Sequence, residues 1–473
     1  MRALIVVVAA VLAGCALKTP PTHSEVVEQA LPAKTRIPPG WQADGSPGTV
    51  ADDWLKSFND PALDAIVAEA IAHNLDLRQA AERVRIAQQN VVVIGAQLAP
   101  QIGVQLGAKT TRDRDQSSNY NSTLAYAGVA WELDIWGRLR AERAAAEAGA
   151  EATALDYAYA RQSLAALVAK TWYLAIETRQ LVALGEQSVK VFEELLALVQ
   201  IRRKSGKDSD LDVVDVRAKL ESAQSQLEAA RQAYGEARRA LEVLLGRYPA
   251  AELEVAVVYP RLPPPVGAGV PASLLERRPD IVAAERAVLA AFRQQEAAEL
   301  ALLPDFSVSL AGGRLGDELL SVLRLNPWLA SAGIGVSIPI YEGGALRAEV
   351  KIATAQQAQA VAQYGSVALT AFREAENALA NELLLAKRIP FEQRALADRT
   401  AAVRIATTQY KAGRRDLLWV AQLQQAQFAT EALVIKLRGT QGANRIRLHL
   451  ALGGSFDTTP AATLPPRAEA EGR

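Results

Sequence analysis

The chain has 473 residues, half of them hydrophobic but only 5% aromatic, and its 52 basic residues are balanced by 52 acidic ones. With no net charge and with acids and bases interleaved, there is no field to recruit nucleic acid. The abundance of Ala, Leu, Gln, Glu and Arg suits long helices packed through narrow seams better than an ordinary globular enzyme.

At the N-terminus Arg2 is a minimal basic region, and Ala3 to Ala13 is an apolar run too short to span a bilayer as a helix. It ends in Leu12-Ala13-Gly14-Cys15, which is similar to a bacterial lipobox. Residues 1–14 are therefore predicted to be a lipoprotein signal peptide, and Cys15 the acceptor of a diacylglycerol and an N-acyl chain. Cys15 is the only cysteine, so no disulfide can form within one chain. Ala16 stands where an Asp would favour inner-membrane retention, which points to the outer membrane. Residues 15–60 form an extension ahead of the first long helical pattern. Beyond the signal no apolar run is long enough for a transmembrane helix, so the body either stays in the periplasm or crosses the membrane as strands.

The first half, residues 61–246, begins with a helix predicted over about Leu75 to Gln97. A hairpin over 100–136 follows, with Ile102, Val104 and Leu106 on one face and Gln101, Gly103 and Gln105 on the other. Its second strand sets Val129, Trp131, Leu133 and Ile135 against Gly128, Ala130, Glu132 and Asp134. Such alternation predicts strands with one wet and one apolar face. A soluble sandwich and a membrane barrel both fit it. Tyr120, Tyr126, Trp131, Trp136, Trp328 and Tyr341 near strand ends favour the barrel, as interfacial girdles do. Four strands cannot close a wide barrel, so neighbouring chains would have to supply the rest. From Arg138 to Lys204 there is no proline, and one helix over 138–204 would run roughly 100 Å at 1.5 Å per residue. A return helix is predicted over 209–246.

The second half repeats the first. Leu139-Arg140-Ala141-Glu142 recurs as Leu346-Arg347-Ala348-Glu349, Tyr157 meets Tyr364, Lys204-Ser205-Gly206 meets Lys411-Ala412-Gly413, and Leu245-Gly246 meets Leu452-Gly453, all at one offset. A Pro-rich linker over 247–273 joins the halves. Residues 274–453 then hold a helix, a hairpin over 304–341, a long helix over 344–411 and a return helix over 415–452, before a tail over 454–473. In the second hairpin Phe306, Val308 and Leu310 oppose Asp305, Ser307 and Ser309, and Ile334, Val336, Ile338 and Ile340 oppose Gly333, Gly335 and Ser337. Pro390 falls where the first half has Ala183, and a kink or short break is expected there, because an interior proline costs about 3 kcal/mol.

Several segments resemble the outer-membrane efflux protein family of the TolC/OprM type, and within it the lipidated, NodT-like multidrug-efflux branch. Trp54, Phe58, Asp60, Pro61, Leu63 and Asn74 match its opening segment. Trp131-Glu132-Leu133-Asp134-Ile135-Trp136-Gly137 looks like its strand-to-helix transition, and Leu274-Leu275-Glu276-Arg277-Arg278-Pro279-Asp280-Ile281 like the start of its second repeat. The resemblance covers nearly the whole mature chain. It implies a mixed α+β fold and a homotrimer, each chain giving four strands to one outer-membrane barrel and long helices to a periplasmic α-helical barrel. The duct would passively conduct drugs or other small toxic compounds received, through a periplasmic adaptor, from an inner-membrane pump of the resistance-nodulation-division type.

The resemblance also implies a gate at the helical tips. Gly206, Lys207, Asp208, Gly413 and Arg414 would meet the adaptor. Asp212, Tyr410 and Arg415 occupy the positions that hold the aperture closed in TolC-like channels, through Asp212–Tyr410 and Asp212–Arg415 contacts. Trp419 and Gln422 stand where such channels carry carboxylates, which implies a bulkier, less charged restriction. On residue type alone, Asp208 and Arg414 read as solvated charges near helix ends.

Catalytic chemistry is not expected. His23, His73 and His449 lack metal-ligand spacing, and Gly343-Gly344 follows a strand without the rest of a phosphate-binding motif. Asp113 and Asp115 read as a solvated turn. No metal and no cofactor beyond the lipid on Cys15 is predicted. A structural coiled-coil surface lipoprotein would explain the helices but not two amphipathic hairpins. The duct of a type I protein-secretion system shares the fold; the lipobox and Arg277-Arg278-Pro279-Asp280 favour the efflux branch.

Overall fold

A computed structural model describes residues 17–43, 45, 48–112, 119–316 and 329–455. The predicted signal peptide, Cys15, Asp113, Asp115, Trp328 and nearly all of the tail lie outside the described residues, as does the side chain of Tyr120. Among the described residues the elements run α1 (His23–Ala30), α2 (Trp54–Ser57), α3 (Pro61–His73), α4 (Leu75–Gly95), β1 (Gln101–Arg112), β2 (Asn119–Leu133), α5 (Arg138–Lys204) and α6 (Asp210–Leu244). They continue as α7 (Leu274–Arg277), α8 (Pro279–Leu300), β3 (Asp305–Gly316), β4 (Leu329–Ser337), α9 (Ala345–Lys411) and α10 (Leu417–Ala451).

The duplication is exact in element length where the register is ungapped. The long helices α5 and α9 each have 67 residues, and the return helices α6 and α10 each have 35. Of the kink or short break expected at Pro390, the break does not occur, because α9 runs through it. The proline removes one amide donor to the Ala386 carbonyl, and both residues are exposed, so water can satisfy that carbonyl. The first predicted helix ends earlier than expected, at Gly95, and a single 3-10 turn over Ala96–Leu98 leads into the sheet.

The strands form one antiparallel sheet in the order β1-β2-β3-β4, so the pairing of β2 with β3 joins the two hairpins. The register keeps the apolar faces together: Ile102 pairs with Val129, Val129 with Leu310, Trp131 with Val308, and Val308 with Ile334. That face is not a core. Ile102 is 79% exposed and Ile334 81%, and Val104, Leu106 and Val336 are exposed as well. The predicted alternation outlasts the strands at both ends. β2 stops at Leu133 and β4 at Ser337, where the partner strand β3 begins, and Pro339 has no amide to extend the ladder.

The strand-to-helix transition is built by the segment the sequence singles out. The Asp134 carboxylate accepts the amides of Leu139 (3.0 Å) and Arg140 (3.1 Å), capping the start of α5. Gly137 has φ +92°, which lets the chain turn sharply before the helix. Trp136 donates its indole N–H to the Pro304 carbonyl at 2.8 Å, and Trp131 to the Leu98 carbonyl at 3.0 Å.

The chain divides into two compact units, 1–35 with 82–156 and 280–367, and 36–81 with 157–279 and 368–473. Among the described residues the first unit contains the sheet. In the second, Trp54, Phe58, Tyr173 and His449 are buried around one another, with the Trp54 and His449 rings stacked 5.5 Å apart, and Leu63 is fully buried. Arg278, only 2% exposed, is held by Glu374 (2.8 Å) and the Tyr159 hydroxyl (3.1 Å). This explains why the Arg277-Arg278-Pro279-Asp280 segment has chemistry beyond helix initiation. Arg445 binds Glu382 and the carbonyls of Pro263 and Pro264, pinning the inter-repeat linker to α9 and α10. Among the described residues no helix is long and apolar enough to cross a membrane.

Candidate functional site

The site is the pair of helix-turn-helix tips, both in the second unit. Each long helix ends on a glycine with positive φ, Gly206 at +68° and Gly413 at +73°. At the first tip the Gly206 amide bonds to Arg203 and the Lys207 amide to the Arg202 carbonyl. At the second, Gly413 bonds to Tyr410 and Arg414 to Gln409 in the same pattern. This is the Schellman closure, in which a left-handed residue lets two amides satisfy the last carbonyls of a helix. Open space surrounds both glycines, so φ, rather than crowding, accounts for the residue type.

The chain then re-enters a helix through a cap. Ser209 caps α6 and Asp416 caps α10, the Asp416 carboxylate accepting the Trp419 amide at 3.0 Å. Apolar side chains from all four helices close the space behind the tips, among them Val199, Val216, Ala406, Tyr410, Leu417 and Val420.

The structure redraws the contacts expected of the gate residues. Tyr410 donates its hydroxyl to Asp208 at 2.6 Å, not to Asp212. Arg202 pairs with the same Asp208 carboxylate at 3.1 Å and lies 4.4 Å over the Tyr410 ring. Burial and the hydrogen bond to Asp208 both push the Tyr410 phenol well above its ordinary range, so it stays a donor. Asp208 is therefore not a solvated charge; its side chain is only 7% exposed.

Asp212 is engaged elsewhere for a local reason. It is the third residue of α6, and its carboxylate accepts the Ser209 amide (2.8 Å) and hydroxyl (2.6 Å), while Ser209 accepts the Asp212 amide. That reciprocal capping box uses the carboxylate before α9 can. Asp208 lies ahead of the cap and is free to turn toward Tyr410. The Ser209-x-x-Asp212 pattern, a Ser three residues before an Asp at a helix start, is the signal that identifies this capping in a sequence.

Arg415 likewise makes no ion pair with Asp212 among the described residues; its guanidinium lies 4.4 Å over the Trp419 ring. Trp419 is thus at the surface rather than in the helix seam, and Gln422 is exposed one turn further along α10. Lys207 and Arg414 are exposed beside their glycines. Arg202 is the member of the site that residue-by-residue matching misses.

A chain with duplicated long helices, glycine-closed tips and a small sheet whose apolar face is left uncovered has the mixed α+β architecture of a TolC-like channel protein. The family model for outer membrane efflux proteins matches residues 66–247 and 270–454, and the chain belongs to that family. It is an outer-membrane channel component of an efflux system, and the family is one of export channels rather than enzymes. It is 28% identical to the pyoverdine export outer membrane protein OpmQ of Pseudomonas putida over 94% of this chain and 95% of that protein. It is 27% identical to the toluene efflux pump outer membrane protein TtgF of the same species over 98% of each. Among solved structures, the CmeC outer membrane channel of Campylobacter jejuni superimposes with a TM-score of 0.84 at 18% identity, over 94% of this chain and 96% of that one, which shows the shared fold.

Proposed function

We propose that three copies of this chain assemble into one duct, each giving four strands to a shared barrel and its helices to a periplasmic tunnel. The observation that carries this reading is the sheet. Its apolar residues are aligned on one face by the register and left uncovered, and its outer strands β1 and β4 are paired on one side only among the described residues. An apolar face of that kind is stable against lipid, and a lipid-exposed sheet must be closed because unpaired backbone groups are costly there.

The tips at Gly206, Lys207 and Asp208 and at Gly413 and Arg414 are the proposed contact with a periplasmic adaptor, which links the duct to an inner-membrane pump of the resistance-nodulation-division type. Cys15 carries the lipid anchor. The relatives named for pyoverdine and toluene support a small-molecule cargo selected upstream of this chain.

The gate follows from the contacts at the tips. Asp208, Tyr410 and Arg202 form a latch that ties the first tip to the second within each chain. Arg415, Trp419 and Gln422 form the restriction beside it, and Asp212 keeps the α6 cap in place. A hydrogen bond to a charged group contributes about 1.5–3 kcal/mol, so repeating the latch in each chain is enough to hold a closed state. Single-channel conductance in planar bilayers tests both duct and gate. Tyr410→Phe with Asp208→Asn is expected to conduct more than wild type; equal conductance from well-formed trimers would remove the latch from the gate.

A further inference from the structure

The two tips share a backbone but not a charge pattern. Between residues 202 and 212 the cations Arg202, Arg203, Lys204 and Lys207 face the carboxylates of Asp208, Asp210 and Asp212. Most of these are spent on one another: Arg202 pairs with Asp208 at 3.1 Å and Arg203 with Asp210 at 2.6 Å. Between 411 and 416 the second tip has Lys411, Arg414 and Arg415 against Asp416 alone, and that carboxylate caps α10. At the position repeat-related to Asp208 stands Arg415, so the charge is inverted where the backbone is not.

Lys204, Lys207, Lys411, Arg414 and Arg415 are all exposed, and none has an ion-pair partner among the described residues. The two tips together hold seven cations and four carboxylates in a chain whose formal net charge is zero. The imbalance is therefore local, and the rest of the chain compensates for it. Arg415 is also kept from collapsing onto an acid, because its guanidinium rests on the Trp419 ring.

We propose that this end of the duct is anion-selective, the tip cations and above all Lys411, Arg414 and Arg415 raising the local concentration of anions and favouring anionic cargo. The proposal rests on the reading of the tips as the aperture. Rings of Arg and Lys select anions in pores, and low-dielectric walls focus their field. Direct contact is not needed, since the field reaches about 8 Å at physiological ionic strength and about 30 Å at 0.01 M.

Reversal potentials across planar bilayers under a potassium chloride gradient test this. The wild type and the latch variant Tyr410→Phe, which leaves every tip charge in place, should both be more permeable to chloride than to potassium. The preference should weaken as salt is raised, a dependence that packing alone does not produce. Lys411→Gln with Arg414→Gln and Arg415→Gln should lower the chloride-to-potassium ratio by roughly twofold or more, whereas Lys351→Gln, in the first turns of α9, should leave it unchanged. A potassium preference in the wild type, or a ratio unaffected by the triple change, overturns the proposal while leaving the duct intact. Trimers that conduct in neither form would refute the duct reading and this one with it.

Discussion

The sheet and the helical core around His449 place their apolar residues in opposite ways. In the sheet Ile102, Val104, Ile334 and Val336 share one face and are exposed, whereas Trp54, Phe58, Tyr173 and His449 are buried against one another. Both regions are rich in large apolar side chains, so composition does not separate them. Burial does: a region whose apolar atoms are covered by its own chain is a core, and one whose apolar atoms are aligned but uncovered meets another medium.

The largest effect that sharpens this contrast comes from charging the sheet. Val104→Lys or Val336→Lys places an ammonium on the apolar face, at a cost of about 2–4 kcal/mol near a bilayer midplane. Trimer yield in outer-membrane fractions should fall steeply for both. Gln105→Lys, on the opposite face, should assemble normally, and equal yields from all three would break the assignment of faces.

The helical core offers a test that the sheet does not, because its centre titrates. Burial, helped by the Arg445 charge, lowers His449 to about 4, and neither ring nitrogen has a hydrogen-bond partner among the described residues. The unfolded chain has the ordinary value near 6.5 and binds a proton that the folded chain refuses. Stability is therefore full above about pH 6.5 and declines as pH falls toward 4, by on the order of 3 kcal/mol. Thermal melts of solubilised trimer at pH 7 and pH 5 should show the loss, and His449→Phe should flatten it. An acid dependence that survives in His449→Phe would assign it to other groups.

The smallest effect on assembly is expected at the anchor. Cys15→Ser should abolish incorporation of labelled fatty acid while trimers still form, because closure of the barrel depends on the strands and not on the acyl chains. Retained label would reject Cys15 as the lipid site.

Much of the architecture was legible before any coordinates. The ungapped repeat placed both long helices, and period-two alternation found all four strands. Errors arose where one local interaction competed with another. Ile135, Ile338 and Ile340 continue the alternation, but strands end where their partners do. Pro390 breaks a propensity rule without breaking the helix, since one lost hydrogen bond on an exposed face is outweighed by the many that remain in α9. At the gate, matching positions from each glycine brought Tyr410 to the right place but gave it the wrong partner.

Periodicity, glycine register and the lipobox-like segment are covalent facts, so the sequence by itself determined the repeat, the helix-turn-helix tips, the alternating strands and the candidate anchor Cys15. Which carboxylate meets Tyr410, whether Trp419 is buried, and whether the apolar sheet face is core or surface were decided only by the tertiary structure. Those outcomes depend on competition for each side chain: the α6 cap holds Asp212 within three residues, leaving Asp208 to reach across to α9. Spacing along a chain ranks the candidates for a contact, but the three-dimensional path of the backbone decides which of them arrives first.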